Sequence, residues 1–333
     1  MRWQVTEPMG AINGTARALT RCMRTQISLL FHARVPQKLH SPAWMPKTRT
    51  SVGFFRILSC ACTSVFLFAA SAFCQSFSPG DQASAKALVS AVVANELRTQ
   101  AGNDSHWMYR VEREDQGKTT AKEVIQTAQG SVDKLVSVDE HPLSATQEVQ
   151  ETNRIRNLVN NSAEQRRIEQ VRKKDAEQCK ELFKMIPEAF LFTYAGSDKN
   201  VTKLNYGPNP NFQPPSREAR VFHQLQGEMW VDATQRRLIR ISGQLMADVK
   251  FAGGILGYLQ KGGHFDAQQQ EVSPGQWELT SLDVQMQGKA LLMKTISVQQ
   301  KERRTNFRVV PGTLTVSEAV DMLTKQVIVA ANQ

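Results

Sequence analysis

The chain has 333 residues, of which 41% are hydrophobic, and its 41 Lys and Arg residues outnumber 31 Asp and Glu residues, giving a net charge of +10. Such a basic chain would suggest nucleic-acid binding, but residues 1–72 hold nine of the basic residues and a single acid, Glu7. The remainder carries 32 basic and 30 acidic residues, so its composition does not support a nucleic-acid-binding protein.

Residues 45–74 are predicted to be a secretory signal peptide. Three basic residues precede a run of apolar or small residues at 57–72. Residues 70–72 are Ala-Ser-Ala, which places small residues at the two positions that signal peptidase recognises before its cleavage site. We therefore expect the protein to be periplasmic or otherwise exported, and its signal peptide to be cleaved near residues 72–75. The apolar run is shorter than the roughly 20 residues of a spanning helix, so cleavage is favoured over a retained anchor. Phe73 before Cys74 does not fit a lipoprotein site.

Residues 1–44 precede this signal peptide and show no clear periodicity. We interpret them as a wrongly assigned start or a disordered extension, with Met45 as the true start, because signal peptides lie at the extreme N-terminus. The alternative is a genuine long extension.

The cysteines fit the same division, because four of the five lie in or beside the leader and Cys179 alone remains. We expect no internal disulfide and a partly buried thiol at Cys179. The sequence contains no C-x-x-C or H-E-x-x-H spacing, so we expect neither a metal site nor a cofactor.

Residues 75–333 are predicted to form a single antiparallel α+β domain. A helix is expected from Asp81 to residue 102, with an apolar stripe through Leu88 and Val92, and three short strands follow between residues 107 and 138. A polar helical insertion at about 144–186 contains two capping boxes, Ser144-Ala-Thr-Gln147 and Ser162-Ala-Glu-Gln165. It is interpreted as a solvated helix lying across the sheet or, alternatively, as a partner-binding helix.

The second half is predicted to consist of long antiparallel strands. Pro187 is expected to end the helical insertion, and the strands 189–194 and 201–206 are expected to pair. The proline-rich segment 207–215 is a stiff loop that either gates a cavity or connects two strands. A meander follows from residue 224 to 303, and a capping box, Thr315-Val-Ser-Glu318, opens a terminal helix. With no β-α-β rhythm, the fold class is α+β with a large antiparallel sheet.

The last long strands have apolar residues on both faces. One face can pack on helices, and the other either lines a cavity or belongs to a double-sided core. The candidate ligand-binding residues are the large apolar side chains on predicted strands: Trp107, Tyr109, Trp230, Phe251, Phe265, Trp277, Leu282 and Met286.

The order of leader, helix, meander, helical crossover and long meander, together with Gly227-Glu-Met-Trp-Val-Asp-Ala-Thr-Gln-Arg-Arg-Leu238, resembles the periplasmic half-barrel family of outer-membrane lipoprotein-sorting proteins (LolA/LolB type). The resemblance covers residues 75–333 in outline. It implies a strongly curved sheet wrapped around helices, with an apolar concave face that receives acyl chains. The polar insertion and the proline-rich loop depart from that family.

The predicted function is that of an exported envelope protein that binds a lipid, an acyl chain or a lipidated protein in its concave face. The alternative is an envelope sensor or protein-interaction module with no small-molecule ligand. We do not expect an enzyme, since neither a nucleophile elbow nor a paired-carboxylate motif accompanies the histidines. We expect a monomer with at most peripheral contact to the envelope.

Overall fold

The computed structural model describes residues 79–102, 105–251, 257–290 and 294–330. Residues 1–44 and the predicted signal peptide, residues 45–74, lie outside the described residues. The helices are α1 (Pro79–Gly102), α2 (Ala145–Asn160), α3 (Ser162–Ala189) and α4 (Val316–Ala330), with a 3-10 helix at Glu218–Gln224. The strands are β1 (His106–Asp115), β2 (Lys118–Thr127), β3 (Gly130–Val138), β4 (His141–Pro142), β5 (Phe190–Asp198), β6 (Val201–Pro208), β7 (Leu225–Asp232), β8 (Arg237–Leu245), β9 (Val249–Phe251), β10 (Gly257–Leu259), β11 (His264–Ser273), β12 (Gln276–Ala290) and β13 (Lys294–Val310).

All these strands belong to one open antiparallel sheet with the order β4-β3-β2-β1-β13-β12-β11-β8-β7-β6-β5, and the short β9 and β10 pair beside β12. Two meanders are joined where β1 pairs with β13, which brings residues from opposite ends of the domain into register, such as Val111 and Arg304. This architecture confirms the predicted α+β class with a large, curved antiparallel sheet. Within the described residues, no helix is both long enough and apolar enough to span a membrane.

The inner face of the sheet is defined by a row of directly paired residues that crosses five strands. The row runs through Leu204, Met229, Ile241, Ala267 and Leu282. Directly paired residues point to the same side of a sheet, and all five are buried in the main hydrophobic core. Helices α1 and α3 contribute to this core, and they pack on the inner face chiefly at β5 and β8.

Helix α1 turns a different face to the sheet from the one predicted. The sequence suggested a stripe through Leu88 and Val92, but the residues buried most deeply are Ala85, Val89 and Val92, and Glu96 continues the same stripe. The core-facing side is therefore rotated by one position, and it carries a carboxylate into the interior.

Helices α2 and α4 pack on the opposite face of the sheet, over β1–β3. Met108, Ile125 and Val132 form a second core there with Ile155 of α2 and Val320 of α4. The predicted polar insertion at 144–186 therefore consists of two helices with different roles. The first covers the outer face at one end of the sheet, and the second enters the main core on the inner face at the other end.

Two predicted capping boxes form. Ser144 N donates to Gln147 Oε1 at 2.9 Å and Gln147 N to Ser144 Oγ at 3.4 Å. At α4, Thr315 N donates to Glu318 Oε2 at 2.8 Å and Glu318 N to Thr315 Oγ1 at 3.2 Å. Each box satisfies backbone N–H groups that a helix start leaves unpaired.

The end of α3 differs from the prediction, because Pro187 lies inside the helix, which continues to Ala189. The proline-rich loop is fastened to this end. Asn209 N donates to the Ala189 carbonyl at 2.9 Å and Asn209 Nδ2 to the Glu188 carbonyl at 2.8 Å, while Phe212 packs on the main core. These contacts favour the connector interpretation of residues 207–215.

Candidate functional site

Four of the eight predicted ligand-binding residues pack together in the main core. Phe251, Leu282 and Met286 are buried, and Phe265 packs against them from a partly exposed position. The Met286 sulfur lies so near Gly263 that a Cβ added there would be 2.6 Å from it. These side chains therefore belong to the packed interior of the main core.

Trp107 and Tyr109 lie in a separate aromatic cluster. The Tyr109 ring stacks on Phe307 with a centroid distance of 5.2 Å, and the Trp107 ring meets Phe307 edge-on at 6.1 Å. Trp277 lies elsewhere: its indole N–H donates to Gln235 Oε1 at 3.0 Å. The structure therefore does not bring the eight predicted residues together in one pocket.

Trp230 lies on the outer face, opposite its buried neighbours Met229 and Val231. Its ring is sandwiched between the Lys203 ammonium at 4.4 Å and the Arg240 guanidinium at 4.8 Å, as expected for a cation–π arrangement. It therefore does not line the concave face with the other candidates, because strand alternation turns it outward.

A buried ion pair ties α1 to the sheet. The Glu96 carboxylate accepts from Arg237 Nε at 2.8 Å and Arg237 Nη2 at 3.1 Å, and also from Leu238 N at 2.9 Å and Gln269 Nε2 at 3.0 Å. Burial nevertheless raises the pKa of Glu96, against the lowering effect of Arg237. This pair was missed at the sequence level, although an acid on the apolar stripe of α1 was the signal for it.

A second buried ion pair lies beside Tyr109. Arg304 Nε donates to Glu302 Oε1 at 2.7 Å, and Arg113 Nε donates to Glu302 Oε2 at 3.1 Å. Burial alone would raise the pKa of Glu302, but Arg304 and Arg113 outweigh it and lower that pKa to about 2. Burial raises the pKa of Tyr109, whose ring the Arg304 guanidinium approaches at 5.6 Å. Glu302 is thus a firmly ionised group inside the sheet.

Glu278 is a third buried carboxyl, and it lies within electrostatic reach of both pairs. Burial raises its pKa to about 8, while Arg304, the Trp107 indole and Arg237 oppose that rise. The Trp107 indole N–H makes no hydrogen bond of normal geometry. Because both arginines already face another carboxylate, burial prevails at Glu278, and its pKa of about 8 lies above neutral pH.

An open groove lies where α1 ends, between the start of β1, the start of β12 and the end of β13. We call it the terminal groove, and its volume is about 650 Å³. It is lined by Arg98, Thr99, Gly102, Ser105, His106, Gln276, Val309, Val310, Pro311 and Gly312. The lining combines exposed aliphatic surface with one permanent cation and contains no carboxylate.

Val309 is the most exposed large apolar residue of this groove, with 65% of its surface accessible. Its partner in the sheet is the buried Trp107. Pro311 is the other exposed apolar side chain of the lining, while Val310 is buried. Exposed apolar surface in a concave site is typical of ligand or partner sites. Sequence reasoning missed the groove, because its residues come from three separate segments that meet only in the folded sheet. These segments are the end of α1 with the start of β1, Gln276 of β12, and residues 309–312.

The described residues contain no group of three or more His, Cys, Asp or Glu side chains placed to hold a metal ion. Cys179 is a buried thiol in the main core.

A scan against protein-family models gives no match, and neither does a search of curated proteins. A search of solved structures finds a similarity to a DUF1329 family protein from Desulfovibrio piger, at 10% sequence identity and a TM-score of 0.24, covering 72% of this chain and 98% of that one. This similarity is weak, and the fold of this chain is defined by its own strand pairing.

Proposed function

We propose that this chain is an exported envelope protein that binds an amphiphile, such as a fatty acid or a lipid acyl chain, in the terminal groove. The observation that carries the proposal is the concave aliphatic surface around Val309, with Arg98 at its margin and no carboxylate in its lining. Export is proposed from the signal-peptide pattern of residues 45–74. The proposal includes no catalytic step.

The size and chemistry of the terminal groove suit one acyl chain. Its volume of about 650 Å³ lies within the range of roughly 300–1,000 Å³ that ligand pockets occupy. Each methylene removed from water contributes about 0.8 kcal/mol, so burial of about ten methylenes supplies about 8 kcal/mol before the entropic cost of association. Micromolar affinity, about −8 kcal/mol, therefore needs most of a long acyl chain to be buried, together with a contribution from the head group. The Arg98 guanidinium supplies a donor fork for a carboxylate or phosphate head group.

This proposal moves the predicted ligand site away from the middle of the concave face. There Leu282 and Met286 are buried in the protein's own core and present no open surface to an acyl chain. The end of the inner face beyond Gly102 of α1 is open instead.

The experiment compares two valines of similar exposure. Val309 is 65% exposed in the terminal groove, and Val149 is 61% exposed on α2, outside it. We expect cis-parinaric acid to bind residues 75–333 with micromolar affinity, V309E to weaken binding by at least about tenfold, and V149E to leave it unchanged. Binding that is absent, or that both variants weaken equally, would refute the terminal groove as the site.

A further variant tests the head group. We expect R98M to weaken binding of the fatty acid several-fold while leaving binding of the corresponding neutral alcohol unchanged, because only the carboxylate gains from the guanidinium. Unchanged binding of both ligands would show that Arg98 contributes no more than its aliphatic stem, which Met retains. Equal loss for both would show that the guanidinium does not recognise the carboxylate.

One observation favours the interaction-module alternative. Strand β5 is an edge of the sheet and contains a single charged residue, Asp198, together with Leu191 and Tyr194 at 40% and 46% exposure. Edge strands of this composition can accept a further strand. If it is a partner site, L191K should abolish binding of a partner captured by the wild type without changing binding of cis-parinaric acid.

A further inference from the structure

A second groove, of about 450 Å³, opens along β11, β12 and β13. We call it the bulge groove. The side chains that matter for its chemistry are Gln270, Ser281, Arg303, Thr305, Asn306 and Phe307. It shares no lining residue with the terminal groove.

Two irregularities of strand pairing meet at this groove. Between β11 and β12 the register shifts at Gln268 and Gln269, and between β1 and β13 it shifts between Met108 and Arg110. Asn306, opposite the second shift, has φ of 59°. Bulges bend a strand, can re-aim its side chains, and are over-represented next to functional sites. The left-handed backbone of Asn306, a non-glycine residue, is a further feature that clusters at functional sites.

Several polar side chains of the bulge groove form no hydrogen bond with other described residues. Within the described part of the chain, the side chains of Gln270, Ser281, Thr305 and Asn306 make no hydrogen bonds to other protein groups. Amides and hydroxyls both donate and accept. Phe307 adds a half-buried aromatic surface that is fixed by stacking on Tyr109 at 5.2 Å.

The charges in the bulge groove do not amount to an anion site. Arg304 is committed to Glu302, and the groove lining contains Glu271 as well as Arg303. A phosphate would therefore meet little uncompensated positive charge. A neutral ligand whose hydroxyls pair with amides and whose apolar face rests on an aromatic ring fits this lining better.

We propose that the bulge groove binds a neutral oligosaccharide. The amides and hydroxyls of Gln270, Thr305 and Asn306 pair with sugar hydroxyls, and Phe307 contacts the C–H face of one ring. The proposal is independent of the amphiphile site, because it rests on different residues.

Saturation-transfer difference NMR tests the proposal, with chitotetraose and maltotetraose as probes and inorganic phosphate, followed by phosphorus NMR, as the anionic comparison. We expect at least one of the two oligosaccharides to bind with a Kd near the millimolar range and phosphate not to compete. N306G keeps the left-handed backbone but removes the amide. It should weaken binding about fivefold, as should Q270A, whereas Q299A, which removes an exposed glutamine of β13 outside the groove, should not.

Two results would overturn the proposal: absence of saturation transfer to both oligosaccharides, or binding that N306G and Q270A leave unchanged. Displacement of the sugar by phosphate would also overturn it, in favour of an anion site at Arg303. Circular dichroism of each variant shows whether the fold is retained, and N306G, which suits the local backbone, keeps the test usable should Q270A misfold.

Discussion

Glu278 predicts an unusual dependence of stability on pH. Its carboxyl is 2% exposed, and burial raises its pKa from 4.5 to about 8. Below pH 4.5 the carboxyl is protonated in both the folded and the unfolded state, so its ionisation does not change the free energy of unfolding. Between pH 4.5 and about 8 the unfolded state ionises while the folded state keeps the proton, so the free energy of unfolding falls as pH rises, by about 1.4 kcal/mol per pH unit.

The raised pKa sets the size of the effect. A difference of about 3.5 units corresponds to about 5 kcal/mol once pH exceeds the folded value. E278Q removes the ionisation and keeps the shape. We expect the free energy of unfolding of E278Q, relative to that of wild type, to rise by several kcal/mol between pH 5 and pH 8.5. The substitution can also change stability by an amount that is the same at both pH values.

Urea unfolding of residues 75–333, followed by circular dichroism at both pH values, measures this gain, because comparing the two pH values cancels the constant offset. E177Q, which alters an exposed glutamate of α3, is the matched control and should show no gain. A difference between E278Q and wild type that is equal at pH 5 and pH 8.5 would refute the assignment of a buried, protonated Glu278.

Glu302 acts in the opposite sense: its stabilising effect is present above pH 4.5 and is lost as pH falls toward about 2.

Three further predictions concern other contacts. E96L should cost about 3–5 kcal/mol in urea unfolding, because it leaves the Arg237 guanidinium buried and unpaired, and E96L/R237M should recover most of that loss. The control is K86M, which breaks the exposed ion pair between Lys86 and Glu188 and should lower the free energy of unfolding by less than about 1 kcal/mol. If E96L cost no more than K86M, burial of the Glu96–Arg237 pair would not matter for stability. T315A should cost about 1 kcal/mol through loss of the α4 cap, measured in the same way. The buried Cys179 thiol should react with a thiol reagent only as fast as the protein opens, so rapid labelling of the folded protein would exclude its burial.

The sequence determined the features that depend on neighbouring residues. The capping boxes at Ser144 and Thr315 form as predicted, because each needs only residues three positions apart. The antiparallel meander and the pairing of β5 with β6 also follow from local alternation and turn residues. Fold class was predictable for the same reason.

The tertiary structure decided the features that depend on distant residues. Pairing of β1 with β13 joins segments about 200 residues apart in sequence, and it creates both the terminal groove and the setting of Arg304 beside Tyr109. Which face each helix covers was also undetermined, since the stripe of α1 could be read in more than one register until Glu96 met Arg237.

The candidate site shows the same division. Large apolar residues on strands could be recognised from the sequence, but their environment could not. Trp230 turns outward and Met286 is packed in the core, while the exposed aliphatic surface belongs to Val309. The raised pKa of Glu278 likewise comes from burial among side chains of other strands. Burial and pKa depend on which distant segments come together, and local sequence patterns do not encode that.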